Sequence, residues 1–575
     1  MMRTRHSTSP VVLGVCAYTH DSAAALIMDG ELVGFAEEER LNGHKHTKAY
    51  PGRAIAWLLE SSNLVPEDVD LVGYNFQAHR YLGALTQAPA QILSRDRRSR
   101  VPARARSFAT VAARTRTRTR ELAYRFPRAR VAAGQHHRAH GLYAFASAGY
   151  EHAAVLVADS LGELQSTTIG YARRTGAGTD YRIIDTIDDP ASLGYAYGAV
   201  TEHLGWRRGD EEGTVMALAA LGDPARFRDL FTRAIPLTDT GFTLDPALLP
   251  LRVLSRRHPR IAPAFAARTC PPRHPDSPVE QVHHDLAAAL QERTEQVMLH
   301  LARRARDLTG SRWLCLGGGV ATNCVAVGKI VDADLFDEVH VPPAPGDAGT
   351  AIGAALAAHL SATGTLPTGV AERCYLGPAH PGLRLPASPR PGLAAHQPEA
   401  PARFLARQLA DGRIAGLFHG RLEAGPRALG NRSILASPLL PDVVSRLNDT
   451  VKFREPFRPF APVVLGDAAA EYFTVPQPTP YMSIASGVTD LARDKIPAIV
   501  HANATARVQT VTPEQNPFLA EVLSEFAAIT GVPVLINTSL NVKGKPICGT
   551  PEMALDCLVD SGLDALMLEG WWVTK

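Results

Sequence analysis

Two stretches of this chain, about 140 residues apart, repeat one pattern, and that repetition limits the folds open to it. In VVLGVCAYTHDSAAALIMDGELVGFAEEER (residues 11–40), two apolar runs flank a polar turn carrying His20 and Asp21. Asp29-Gly30 then marks a hairpin before a further strand. In AAVLVADSLGELQSTTIGY (residues 153–171), an apolar strand again ends in an acid, Asp159, followed by a turn of small residues and a second strand. A strand, an acidic turn and a strand written twice predict a duplicated α/β domain that holds its ligand between the halves.

At 575 residues the chain has room for up to about four domains, and equally for two large ones. An apolar share of 45% and a charged share of 20% are those of a soluble globular protein and exclude disorder for most of the chain. No run nears the ~18 apolar residues of a membrane span. The first residues lack the apolar core and small-residue cleavage site of a secretory signal. Seven Cys, odd in number and without a C-x-x-C pair, exclude a thiolate zinc module and a disulfide framework, and point to a reducing cytoplasm. Of the 60 basic residues 52 are Arg and eight are Lys, so each Lys stands out. Thirteen Arg fall between Arg95 and Arg130, between the two copies of the repeat. Net charge is only +3, so this tract reads as a solvated insertion and not as a contact for nucleic acid or a membrane.

After residue 280 an amphipathic helix leads into the strand SRWLCLGGGVATN, and EVHVPPAPGD ends at Asp347 before an Ala/Gly-rich helix. Residues 362–402 are then rich in Pro, Gly and Ala. The expected division is a first domain over 1–375, a linker over 376–400 and an α/β domain over 401–575.

His136 and His140 in QHHRAH lie four apart, so on a helix both imidazoles leave one face, a spacing that suits two nitrogen ligands on one metal. In a duplicated fold the strand-end acids Asp159 and Asp347 could complete a mixed His/carboxylate site, of a kind that suits iron(II), manganese or zinc. The Gly-rich turn 317–323 between strand and helix would suit a phosphate or adenosine moiety. In the last domain, basic residues cluster around Gly/Pro turns. They are Arg427 and Arg432 in GRLEAGPRALGNRSIL, Lys452, Arg454 and Arg458 in VKFREPFRPFAP, and Arg507 in RVQTV. INTSLNVKGKPI adds Asn537, Ser539 and two of the scarce Lys. Planar Arg forks bind phosphate oxygens bidentately and Lys acts as a point charge, so these clusters predict a cleft for several phosphates.

HDSAAAL (20–26), AEEER (36–40), HHRAH (136–140), SLGYAY (192–197), GGGVATN, EAGPRALGNRSI, KFREPFRPFAP, RVQTV and NTSLNVKGKPI follow one another in this order. In these motifs the chain resembles the NodU/CmcH carbamoyltransferases end to end, and their antibiotic-tailoring members most of all. The resemblance implies a duplicated actin-like, TsaD-like domain followed by a YrdC-like α/β domain. It further implies that the YrdC-like domain makes carbamoyl-adenylate from carbamoyl phosphate and ATP, accompanied by Mg(II). The TsaD-like domain would then pass the carbamoyl group to an acceptor hydroxyl. Carried over position by position, His136, His140, Asp159 and Asp347 match ligands of Fe(II) or another divalent metal. Asp159, Gly194, Gly319 and Asn323 match positions that hold carbamoyl-adenylate, and His20 matches the base for the acceptor hydroxyl. Arg427, Lys452, Arg458, Arg507, Asn537 and Ser539 match positions that bind ATP and carbamoyl phosphate. The expected partner is a small-molecule acceptor with a free hydroxyl, with no nucleic acid and no membrane, and a homodimer is left open. Thr214 stands where the family usually has Lys, and Ser160 where a Gly is usual, which puts the identity of the acceptor in doubt. The competing reading is a tRNA threonylcarbamoyl transferase, whose motifs overlap in the first domain. The YrdC-like motifs and the near-neutral charge argue against it.

Overall fold

The computed structural model describes residues 9–255 and 257–575. The chain divides into two compact units, one formed by the residues up to Phe35 with Lys48–Arg373, the other by Ala36–Thr47 with Cys374–Lys575. Both are mixed α/β. No described helix is long and apolar enough to cross a membrane.

The first unit repeats one sheet twice. Its first sheet contains β1 (Val12–Cys16), β2 (Ala23–Met28), β3 (Glu31–Glu37), β4 (Leu71–Tyr74) and β5 (Arg130–Ala133), in the order β3-β2-β1-β4-β5. β1 runs antiparallel to β2 and parallel to β4, which is parallel to β5. The second sheet begins with β6 (His152–Gly162), β7 (Gln165–Thr175) and β8 (Gly178–Asp188). A short ribbon of β9 (Leu237–Thr238) and β10 (Gly241–Phe242) precedes β11 (Trp313–Gly317) and β12 (Glu338–His340). Its order is β12-β11-β6-β7-β8, with β6 antiparallel to β7 and parallel to β11, which is parallel to β12. In both sheets the first strand is central, and its buried run is apolar: Val12–Cys16 in β1 and Ala153–Ala158 in β6.

This duplication places the chemistry. The turn after β1 carries His20, while Asp159, expected at the end of its strand, lies within β6 three residues before its last residue. The helix after β5 starts at His136, and the turn after β12 starts at Asp347. The helix Thr350–Thr363 crosses the first sheet so closely that a Cβ on Gly14 or Gly73 would lie 2.0 or 2.2 Å from its backbone oxygens. Only glycine fits at those two strand positions.

The Arg-rich tract, expected as a solvated insertion, has most of its Arg side chains exposed, but it is anchored by a packed helix face. Val101–Arg125 is one helix, whose Val101, Arg104, Phe108, Ala112, Thr115 and Leu122 are buried. Long Arg stems cover apolar surface while their heads seek partners. Arg104 and Arg252 are both buried and share the Asp189 carboxylate, and the Arg118 guanidinium lies 4.6 Å over the Tyr18 ring.

The second unit is an eight-stranded sheet in the order β13-β22-β21-β14-β15-β20-β16-β19. Its strands are β13 (Ala394–His396), β14 (Ala415–Phe418), β15 (Arg432–Ala436), β16 (Ala461–Leu465), β19 (Gln509–Val511), β20 (Val534–Ser539), β21 (Ala565–Leu568) and β22 (Trp571–Thr574). A separate ribbon joins β17 (Ala485–Gly487) to β18 (Thr505–Arg507). Alternate strand residues feed two cores: Ile434, Val464 and Ile536 face one, Leu435, Val463 and Leu535 the other. The latter core is closed by the helices Pro401–Ala410 and Pro517–Thr530. Residues 376–400, expected as a linker, are grouped with this unit and supply its edge strand β13, paired with β22.

Candidate functional site

In the first unit four side chains from a helix, a strand and a single helical turn converge. The donor atoms of His136, His140, Asp159 and Asp347 lie within 4.8 Å of one another, and all four residues are buried. His136 opens its helix and His140 follows one turn later on the same face, with their Nε2 atoms 3.0 Å apart. His136 Nε2 lies 3.6 Å from Asp159 Oδ2 and 3.4 Å from Asp347 Oδ1, and His140 Nε2 lies 3.8 Å from Asp347 Oδ1. Asp159 sits where the pairing of β6 with β7 shifts register between Ala158 and Gly162, an interruption of the ladder of the kind found beside functional sites.

Burial disfavours charge on His136, Asp159 and Asp347, but their mutual attraction prevails. The two carboxylates raise His136 to about 10, and the neighbouring imidazoles hold Asp159 and Asp347 below the usual carboxylate range. His137, buried beside His136, is driven the other way to about 3. Two neutral imidazoles and two carboxylates on one centre are a fitting donor set for a divalent cation, whose charge would take the place of the imidazole protons.

His20 borders this cluster. Its ring is half-exposed, with Nδ1 2.9 Å from Asp21 Oδ2 and Nε2 3.7 Å from Asp347 Oδ2. Although its surroundings desolvate it, Asp347 and Asp21 raise its pKa to about 10. Gly319 N–H donates to Asp159 Oδ1 at 2.9 Å, and a Cβ on Gly194 would lie 2.9 Å from Ser160 N, so both glycines abut the Asp159–Ser160 segment. Asn323 caps the helix Cys324–Asp332 through Ala326 N–H and exchanges two hydrogen bonds with Gln291. Thr214 is buried, and its hydroxyl has no hydrogen-bond partner among the described residues.

Two residues of this site carry no signal in the sequence. Glu163 is buried and accepts from Gln77 N–H at 2.9 Å and from His136 N–H at 3.3 Å, with burial raising its pKa to about 7. It thereby satisfies a free N–H at the start of the His136 helix. Phe76 stacks on the His136 ring at 4.6 Å and fixes its plane.

The second unit assembles the basic motifs. Lys452 is buried, and its Nζ donates to Ser539 O, to Ser539 Oγ at 3.3 Å, and to Asn541 O and Oδ1 at 3.1 and 2.9 Å. Burial, with Arg454 nearby, lowers its pKa to about 7. Arg454 is in turn held down to about 9 by burial and by Arg458 and Arg507, a crowding of like charge that an anion would relieve. Asn537 donates to Gln509 Oε1 at 2.7 Å and to Ala428 O at 3.2 Å, which ties β20 to the loop bearing the half-buried Arg427. Arg458 lies 3.9 Å from Glu455. Arg432 is no ligand: its fully buried guanidinium binds the carbonyls of His419, Asn431 and Gly420 and lies 3.6 Å over the Phe418 ring.

Both units match family models in the order they occupy along the chain. Residues 11–356 match the carbamoyltransferase N-terminus and residues 406–575 the carbamoyltransferase C-terminus. The chain is 33% identical to the uncharacterized protein sll1178 of Synechocystis, covering 98% of this chain and 96% of that one. It is 33% identical to the nodulation protein NolNO of Sinorhizobium fredii, over 97% of this chain and 79% of the relative. With the nodulation protein NolO of Bradyrhizobium diazoefficiens it shares 36% identity over 76% and 78%. The chain therefore belongs to the carbamoyltransferase family and is an enzyme of carbamoyl transfer.

Proposed function

We propose that this enzyme is an ATP-dependent O-carbamoyltransferase of secondary metabolism that acts in the cytoplasm on a hydroxyl of an antibiotic-type natural product. On this reading the duplicated unit is an actin-like, TsaD-like domain and the second unit a YrdC-like one. The supporting observation is that two sites of different chemistry lie in different units: a His/carboxylate cluster bordered by His20, and a crowd of cations around Lys452.

In the second unit, Arg427, Lys452, Arg458 and Arg507 hold the anions of ATP and carbamoyl phosphate. Carbamoyl phosphate loses its phosphate to water, and the carbamate oxygen attacks the α-phosphorus of ATP. The bond to the β-phosphate breaks, so carbamoyl-adenylate and pyrophosphate form. Neutralising and aligning two anions is the main task there. In the first unit His20 takes the proton of the acceptor hydroxyl, whose oxygen attacks the carbamoyl carbon and expels AMP. His136, His140, Asp159 and Asp347 would hold Fe(II) or another divalent cation, which would supply positive charge for the adenylate phosphate and the leaving AMP. Charge on the Asp347 carboxylate is the largest of the effects that raise the His20 pKa, ahead of Asp21, so a compensated Asp347 leaves His20 closer to the neutral form a base requires.

Two measurements test the adenylating half. Arg427→Ala should lower pyrophosphate release from carbamoyl phosphate and ATP by roughly 10–150-fold, the effect of removing one charge-assisted contact. Undiminished release would overturn the assignment. Lys452 is protonated below about 7 and neutral above it. Thus kcat/KM for carbamoyl phosphate should fall as pH rises through that value, by up to ~10-fold per pH unit. In Lys452→Arg, whose charge persists, that decline should disappear. A wild-type profile flat between pH 6 and 9 would remove Lys452 from the site.

A further inference from the structure

The segment AEEER begins as the end of β3 but is grouped with the second unit, and there it does something unusual. Glu37, Glu38, Glu39 and Arg40 are four consecutive charged residues, each no more than 6% exposed. Charged side chains are buried only where partners hold them. Arg40 Nε donates to Glu37 Oε2 at 2.5 Å, and its Nη1 lies 3.0 Å from Glu39 Oε1. The third arm, Nη2, donates to the carbonyl of Gly425 at 2.8 Å. Gly425 is in the left-handed region, with φ 93°, and two residues later the same loop presents Arg427.

The other end of that loop is held by Glu423, also buried, whose Oε1 accepts from Leu429 N–H at 2.8 Å and Arg432 N–H at 3.0 Å. The Arg40 backbone is equally confined, since a Cβ on Gly549 would lie 1.9 Å from Arg40 O. The loop 424–431 is thus gripped at its start by a buried guanidinium and at its end by a buried carboxylate, with Arg427 between them.

We infer that Arg40 is a positioning residue of the adenylate-forming site, holding the Gly425 carbonyl so that Arg427 meets its anionic substrates at the right place. This rests on the reading that Arg427 binds carbamoyl phosphate or ATP. The two carboxylates of Glu37 and Glu39 orient the guanidinium. A planar fork serves both carboxylates and the carbonyl at once, and an ammonium does not.

The test uses the full-length enzyme and reads pyrophosphate release at varied carbamoyl phosphate for wild type, Arg40→Lys, Arg427→Ala and the double variant. Arg40→Lys should raise KM for carbamoyl phosphate by ~10–100-fold, the effect of one charge-assisted contact, with a smaller change in kcat. Because Arg40 acts through Arg427, adding Arg40→Lys to Arg427→Ala should change KM by no more than ~2-fold. A purely structural role would lower the melting temperature and reduce kcat with the folded fraction, and its effect would multiply with that of Arg427→Ala. Multiplying effects, or an unchanged KM in Arg40→Lys, overturn the inference while leaving Arg427 in place. An unchanged KM in Arg427→Ala overturns the underlying reading itself. If Arg40→Lys does not fold, Glu39→Gln loosens the guanidinium without removing it, and the same non-additivity with Arg427→Ala is required.

Discussion

Replacing His20 by Ala is expected to lower carbamoyl transfer to the acceptor hydroxyl by ~10²–10⁴-fold, the usual effect of losing a general base. Adenylate formation should continue, because the residues proposed to drive it belong to the other unit. His20 is suited to the role by position: half-exposed beside Asp347, with its second nitrogen anchored on Asp21. The measurement is pyrophosphate release with carbamoyl phosphate and ATP, set beside product carbamoylation from synthetic carbamoyl-adenylate. Loss of both activities in a correctly folded His20→Ala enzyme would sink the division of labour between the units.

The second large effect concerns the metal. Protein purified anaerobically should carry about one divalent cation per chain, bound most tightly as iron(II). His136→Ala/His140→Ala should carry almost none, since it removes both nitrogen donors of a cluster whose donor atoms lie within 4.8 Å of one another. Elemental analysis reads this directly and needs no assay of activity. Equal metal in the two proteins would mean that the ion binds elsewhere. Glu163→Gln offers a finer comparison, because Glu163 touches the His136 backbone and not the donor atoms. Its metal content should fall far less than that of the double His variant.

Part of this site was open to a reader of the sequence because local geometry alone determines it. Two His four residues apart share a helix face wherever the helix goes, and an acid that interrupts an apolar strand run, as Asp159 does, stands out in the sequence. The repeat of strand, acidic turn and strand likewise corresponds to a repeated sheet order, since alternating runs and turns are local signals. The supporting residues were not open in the same way. Glu163 reads as one more turn residue until the fold brings it under His136 N–H, and Phe76 as one more core aromatic until it stacks on the imidazole.

Arginine is where the sequence misleads most. Composition cannot distinguish an Arg that awaits a phosphate from one that caps carbonyls. Arg427 and Arg432 stand five apart in one motif, yet only Arg432 is wholly buried, spent on backbone oxygens. The thirteen Arg from 95 to 130 suggested a solvated insertion, and most of them are exposed, but Phe108 and Leu122 on one face of Val101–Arg125 pack the helix that carries many of them. AEEER closes the first copy of the repeat without a break in the chain, and nothing local marks it as belonging to the second unit.

By itself, then, the sequence determined the family, the duplicated α/β pattern and the residue types of two separate chemistries, because these follow from spacing, periodicity and motif. Only the tertiary structure decided which charges are used up inside the protein and which converge on a site. That depends on distances between residues far apart in the chain, such as Asp159 and Asp347 around His136, or Arg40 against Gly425. Coulomb attraction and desolvation act through space and burial, neither of which is written in the order of residues.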